Sequence, residues 1–389
     1  MNESTPRIAA VADGDAPGFR EQVSTRIAFF VAGLTVSAWA PLIPHAKRRL
    51  GLDDAQLGLM LLCLGIGSVL VMPLAGGLAA RFGCRRVLAA TGAIVCAVLP
   101  FLVLAGTSPG LAITLLVIGA GIGIFDVVMN IQAVIVERAS RRAMMSGFHG
   151  MYSVGGIAGA GGVSGLIALG ATPLSAVLAM AATAAVLLAG SLRALLPYGG
   201  EADHPAFALP RGRVLLIGAV CFSMFLAEGA VLDWSAVFLA TVRHLDLATA
   251  GFGYVAFAIT MTLGRLTGDR IVQALGRLRV VMFGALLAAA GFALAVLVPS
   301  WLAAMAGFAL VGAGAANVVP VMFSAAGRQH SMPTHLAVAA VTTMGYAGVL
   351  LGPAALGFIA HASSLSIALG LLALLLAGVA MLARRAVAD

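Results

Sequence analysis

The sequence predicts an all-α membrane protein of twelve transmembrane helices in two pseudo-symmetric six-helix bundles. Composition, the length of the apolar runs and an internal repeat predict it. Hydrophobic residues make up 61% of the 389 residues and charged residues 10%, against about 25% charged in a soluble domain. No soluble core hides that much apolar surface, so lipid is the solvent for much of the chain. In lipid the backbone must satisfy its own hydrogen bonds, which leaves helices or a closed barrel. Unbroken runs such as 371–380 decide for helices, because barrel strands alternate apolar and polar residues.

A crossing needs about 20 apolar residues. Spans are expected near 26–44, 55–80, 87–106, 110–136, 146–169 and 174–196, then 213–241, 248–273, 279–298, 301–326, 335–360 and 364–383. The polar stretch 1–25 lacks the features of a secretory signal and reads as a cytoplasmic tail. Residues 26–196 form the first bundle, the Pro/Gly-rich segment 197–212 a cytoplasmic linker, and 213–385 the second bundle. Only Lys47, Arg48, Arg49 and Arg243 of the 23 Lys and Arg fall in loops opposite the termini. This asymmetry puts both termini in the cytoplasm of a bacterial inner membrane. The trio at 47–49 is expected to extend the first helix, with Asp53 and Asp54 to offset it. The net charge of +8 lies beside the spans and not in one patch, so it argues for membrane orientation and against nucleic acid. Cys63, Cys84, Cys96 and Cys221 show no paired spacing and read as packing residues.

The two halves repeat. Gly119–Asn130 aligns without gaps on Gly312–Phe323 at an offset of 193. Gly156, Ala160, Gly165 and Ile167 fall on Gly348, Gly352, Gly357 and Ile359 at an offset of 192. Six-plus-six symmetry suits a central site worked by rocking two bundles.

Burying a charge in hydrocarbon is costly, so an intramembrane acid is a functional candidate by default. Of 15 acids, Asp126, Glu228 and Asp233 lie well inside spans. Gly119, Gly123, Asp126, Asn130, Ala133 and Glu137 form one stripe of span four. Asp126 sits about 18 Å along the helix from its cytoplasmic end, with no Lys or Arg at that depth expected beside it. It is the first candidate for proton coupling, and Glu228, sharing a face with Ser235, the second. Asp233 points elsewhere and is expected to make a helix-end contact with Arg243. Trp39 and Tyr346 are candidates for stacking on a sugar-like ring. Asn130, Tyr152, Ser235, Asn317 and Thr343 are candidates for hydrogen-bonding a solute, although such residues singly more often bridge helices. His149 either relays a proton or contacts Glu137. Nothing matches a P-loop, a metal cluster or a nucleophile elbow, so neither enzyme activity nor a cofactor is expected.

Several segments resemble the major facilitator superfamily. The loop Gly76-Gly-Leu-Ala-Ala-Arg-Phe-Gly-Cys-Arg-Arg86 is similar to the family's signature after span two, with Ala80 where an Asp is usual. Gly264-Arg-Leu-Thr-Gly-Asp-Arg270, followed by Gly276-Arg277, keeps the acid as Asp269. The resemblance implies a gating role for Gly76, Arg81, Gly83, Arg265, Gly268, Asp269 and Arg270, with the latch retained in the second half. Trp39–Pro44, Phe125–Val134, Phe148–Gly156 and Ala227–Ser235 look like a bacterial branch distantly allied with fucose permease, which implies a coupling acid on span four. The expectation is alternating-access secondary transport of a small organic solute by a single chain, coupled to protons. Uptake of a sugar-like substrate comes first, export of amphipathic compounds second, and a non-transporting receptor or scaffold third.

Overall fold

The computed structural model describes residues 17–52, 54–200, 208–245 and 251–387. Span one is Phe19–Ser37, followed by a turn, Ala40–Leu42, and a short helix, Ile43–Leu50. Spans two and three run as Asp54–Val98, broken at Gly83, with a last turn Phe101–Leu104. Spans four, five and six are Ser108–Ser140, Met145–Ala168 and Pro173–Ser191. Span seven is Arg213–Thr241, span eight Phe252–Leu275 and span nine Arg277–Leu297. Span ten comes in two pieces, Trp301–Ala315 and Val318–Arg328, before span eleven, Thr334–Ala362, and span twelve, Leu365–Val387.

Ten helices among the described residues are long and apolar enough to cross a membrane. One of them, Leu59–Leu104, has 46 residues. At 1.5 Å per residue that is about 69 Å, over twice a hydrocarbon core of about 30 Å, so it supplies two crossings. Span eight is outside the ten because it carries Arg265, Asp269 and Arg270. It packs on span ten within its own half and on span five of the other, and completes twelve. An even number of crossings returns both termini to one side, called here the terminal face.

The repeat is visible in the backbone. Gly83 and Gly276, 193 residues apart, turn the chain between spans two and three and between eight and nine with φ 79° and 78°, a left-handed conformation open to glycine. The pairings repeat as well. Span one packs on five and two on four, then seven on eleven and eight on ten. Span ten breaks where span four runs straight. Pro320, aligned with Val127, has no N–H to donate to the Ala316 carbonyl, and the helix interrupts at Ala316 and Asn317.

The first boundary differs from the sequence expectation. Residues 19–25 are the opening turns of span one and not part of a tail. The Glu21 carboxylate accepts the Gly18 N–H at 2.7 Å, and the Ser24 and Thr25 hydroxyls donate to the Glu21 carbonyl. Polar residues that cap and back-bond in this way continue a helix that hydropathy alone does not see. Span one gives way to the turn Ala40–Leu42, where Pro41 has no N–H to donate to the Ser37 carbonyl. Residues 47–49 belong to the separate short helix, where Arg49 donates to the Val103 and Leu102 carbonyls at the end of span three. Asp53, residues 201–207 of the 197–212 linker and the start expected for span eight lie outside the described residues, as does the Asp54 side chain.

Close approach between spans one and five depends on small residues. A Cβ at Gly33 would collide with the Tyr152 carbonyl, and one at Gly159 with the Leu34 carbonyl. This is the small-residue contact that lets membrane helices touch backbone to backbone. Gly159→Val is expected to cost about 1–3 kcal/mol by overpacking, read as a lower thermal midpoint of the purified protein.

Candidate functional site

Contacts between the halves gather at the terminal face. Span two meets eleven and five meets eight. Asp269 Oδ2, near the end of span eight, accepts the Gly147 N–H at 3.1 Å at the start of span five. A carboxylate there satisfies an orphan helix-end donor and favours the positive end of the helix dipole. The symmetric start of span eleven lacks this cap. Ala80 offers no acceptor, and the N-cap residue Pro333 makes no side-chain cap. Instead Gly76 lies against the His335 carbonyl and Arg138 Nη1 donates to Thr334 Oγ1 at 3.4 Å. Asp269→Ala should therefore open the terminal face by about 1 kcal/mol, the scale of a helix cap. A cysteine placed at buried Ser146 would then label about fivefold faster.

Other contacts at this face replace expected ones. Glu137 accepts the Met144 and Met145 N–H groups at 2.9 Å each and faces Arg328 Nη1 at 4.0 Å; it does not bond His149. His149 instead packs between Phe29 and Phe323, with ring centroids 5.1 and 5.6 Å away. Arg81 is exposed and lies over the Phe82 ring, and Arg270 is also exposed.

At mid-depth, two links join the halves. Asp126, 8% exposed on span four, faces the Tyr346 hydroxyl of span eleven. Arg265 of span eight donates through Nη2 to both Glu228 oxygens of span seven at 3.3 Å, and through Nη1 to Ser153 Oγ of span five at 3.4 Å. Tyr152 lies within electrostatic reach of Asp126, Glu228 and Arg265. The structure thus brings Asp126, Glu228, Tyr152 and Tyr346 together.

Arg265 is the residue that motif reading misplaced. It is buried at the midplane as the partner of Glu228, so a cation does sit at the depth of the acids. The signal was present in the spacing: Phe257, Met261, Arg265, Gly268 and Val272 form one buried stripe of span eight. Tyr346 was expected to stack on a ring; its hydroxyl is what the site uses, while its ring tilts against Phe225 at 6.1 Å.

The remaining candidates sit elsewhere. Trp39 is buried with Leu42, Leu52 and Val95 at the end of the first half away from the termini. Asn130 Nδ2 donates to the Asp126 carbonyl at 2.9 Å and Thr343 Oγ1 to the Ala339 carbonyl at 2.8 Å, each within its own helix. Asn317, at the break in span ten, donates to the Gly264 carbonyl at 3.1 Å and packs against Gly268, joining spans eight and ten. Ser235 is buried with an unpartnered hydroxyl. Asp233 is exposed, and Arg243 donates to the Ala295 and Val296 carbonyls at 2.7 Å.

Twelve crossings in two alike halves, with ionisable groups on both sides of their midplane seam, define the class of a multi-span membrane transporter. Residues 26–274 match the Major Facilitator Superfamily, and the chain belongs to that family. An uncharacterized transporter of this type from Yersinia pestis is 59% identical over 369 residues, covering 95% of this chain and 96% of that one. Membrane protein MosC of Rhizobium meliloti is 33% identical over 346 residues, covering 88% and 84%. Among solved structures, FucP in the outward conformation matches with a TM-score of 0.76 at 15% identity, covering 93% of this chain and 97% of that one. The proton:xylose symporter XylE matches at 0.72 and 14%, covering 95% of each.

Proposed function

We propose that this transporter takes up a small polar, sugar-like solute with protons, by alternating access in a bacterial inner membrane with both termini cytoplasmic. The observation that carries the reading is the buried Asp126 carboxyl facing the Tyr346 hydroxyl. It sets an acid of one half against a hydroxyl of the other at the depth where a rocking motion must be controlled. Glu228, paired with Arg265 within the second half at the same depth, is the accessory acid. An ionised carboxylate keeps Tyr346 as a donor across the seam. A protonated one becomes a donor itself and weakens the reason for that contact, so proton occupancy biases which end of the seam is closed. With cytoplasmic termini, the latch at Asp269 closes the inner end and the described state faces outward, the conformation of the FucP structure it matches. FucP is a fucose:proton symporter and XylE a proton:xylose symporter, which favours the same coupling.

The test uses the purified chain in liposomes, an imposed inward proton gradient and a panel of labelled sugars and sugar derivatives. Filling of the vesicles establishes uptake and emptying establishes export. Fluxes indifferent to the gradient would refute proton coupling.

A further inference from the structure

We propose that Arg265 anchors the carboxylate of a small hydroxylated organic acid, so that the solute carried is an anion and not a neutral sugar. This rests on the transport reading above. A guanidinium stays protonated in proteins and presents five N–H donors in a rigid fork suited to a bidentate carboxylate. Arg265 is 8% exposed, and its Nε–H has no acceptor. Its bonds to Glu228 engage Nη2 alone, at 3.3 Å to each oxygen, and its bond to Ser153 is 3.4 Å. Charge-assisted bonds of this kind normally close to about 2.7–2.9 Å.

An ion pair kept only to glue helices would engage both arms of the fork at short distance, because burying a charge repays its desolvation only with good geometry and filled donors. This pair does neither. The Nε edge of a buried cation is left without an acceptor, while the Glu228 side chain remains 17% exposed and that of Arg265 10%. The pair is therefore not fully sealed from a solute. A carboxylate supplies two acceptors and the opposite charge at that edge, competing with Glu228. A neutral polyol supplies single acceptors and no charge with which to compete against Glu228 for the guanidinium. Ser153 Oγ, 3.4 Å from Nη1, and the Tyr152 hydroxyl within electrostatic reach of Arg265 suit hydroxyl groups on the same solute.

The experiment measures thermal stabilisation of the full-length purified protein by sodium D-gluconate, D-glucuronate and L-malate against D-glucose, D-galactose and glycerol at matched ionic strength. The acids are expected to raise the wild-type midpoint and the neutral compounds to leave it unchanged. Arg265→Gln should weaken acid binding by at least about tenfold, the loss of one strong charge-assisted contact, and Arg265→Lys should fall between. If Arg265→Gln does not fold, Glu228→Gln serves: freed of its competitor, Arg265 should bind the acids several-fold more tightly. Acids that leave the wild type unmoved, neutral compounds that stabilise it equally, undiminished acid binding in Arg265→Gln or weaker acid binding in Glu228→Gln would each overturn the assignment. Neutral sugars accumulated under a proton gradient would overturn it while leaving proton coupling intact. Acid binding without gradient-driven accumulation would do the reverse.

Discussion

Asp126→Asn is expected to abolish accumulation driven by a proton gradient while leaving solute exchange at equal pH in place. Asparagine matches the shape of the carboxyl and still offers an oxygen to Tyr346, so the packing of span four against spans two and eleven is preserved. It exchanges no proton. A gradient of one pH unit is worth 1.36 kcal/mol per proton, so the wild type should reach up to about tenfold accumulation with one proton per solute. The variant should stop at a ratio of about one. Measuring gradient-driven uptake and counterflow in the same proteoliposomes separates loss of coupling from loss of folding. An Asp126→Asn protein that accumulates solute as the wild type does would remove Asp126 from the coupling step.

The second large effect is on stability. Glu228→Ala leaves the Arg265 charge buried without its counter-ion, and stranding one partner of a buried pair costs about 3–5 kcal/mol. Replacing both, as Glu228→Ala with Arg265→Met, removes the stranded charge along with its partner. The double variant should regain most of the lost midpoint in a thermal unfolding series while remaining without transport. If Glu228→Ala alone unfolds no earlier than the wild type, the 3.3 Å contact carries no energy and the pair has another purpose.

Much of the fold was legible in the sequence because lipid imposes few choices. Apolar run length gave most of the crossings, and the offset of 193 led to the paired turns at Gly83 and Gly276. Span one was shifted because Glu21, Ser24 and Thr25 continue the helix through capping and back-bonding, which hydropathy does not register. Span eight was placed by its apolar run although Arg265, Asp269 and Arg270 interrupt it.

The site was half legible. A lone acid in a run of Gly, Ile, Phe and Val marks itself by cost, so Asp126 and Glu228 stood out. Their partners did not, because partnership depends on how four helices from two halves meet. Tyr346 lies 220 residues from Asp126 in the chain, and nothing local to either indicates the other. Arg265 was hidden by a motif that explained it as part of a loop, although the five-residue buried stripe of span eight placed it inside. Asn130, Thr343 and Asn317 are polar in hydrocarbon for a local reason: each hydrogen-bonds a backbone carbonyl of its own or a neighbouring helix, as membrane amides and hydroxyls commonly do.

The central claim is that the proton on Asp126 sets which end of the seam is open. Leu169 at the end of span five and Phe252 at the start of span eight lie on opposite halves, away from the terminal face, and are 86% and 54% exposed. Spin labels on cysteines at these two positions, with Cys63, Cys84, Cys96 and Cys221 replaced, report the separation of the halves by pulsed electron resonance and need no known substrate. The titrating groups facing Asp126 are Tyr152 and Tyr346, with Glu228 and Arg265 within reach of Tyr152, and all are retained. The account predicts a distance distribution that shifts between alkaline and acidic buffer in the wild-type background and stays fixed in Asp126→Asn. A shift of equal size in both proteins would contradict it.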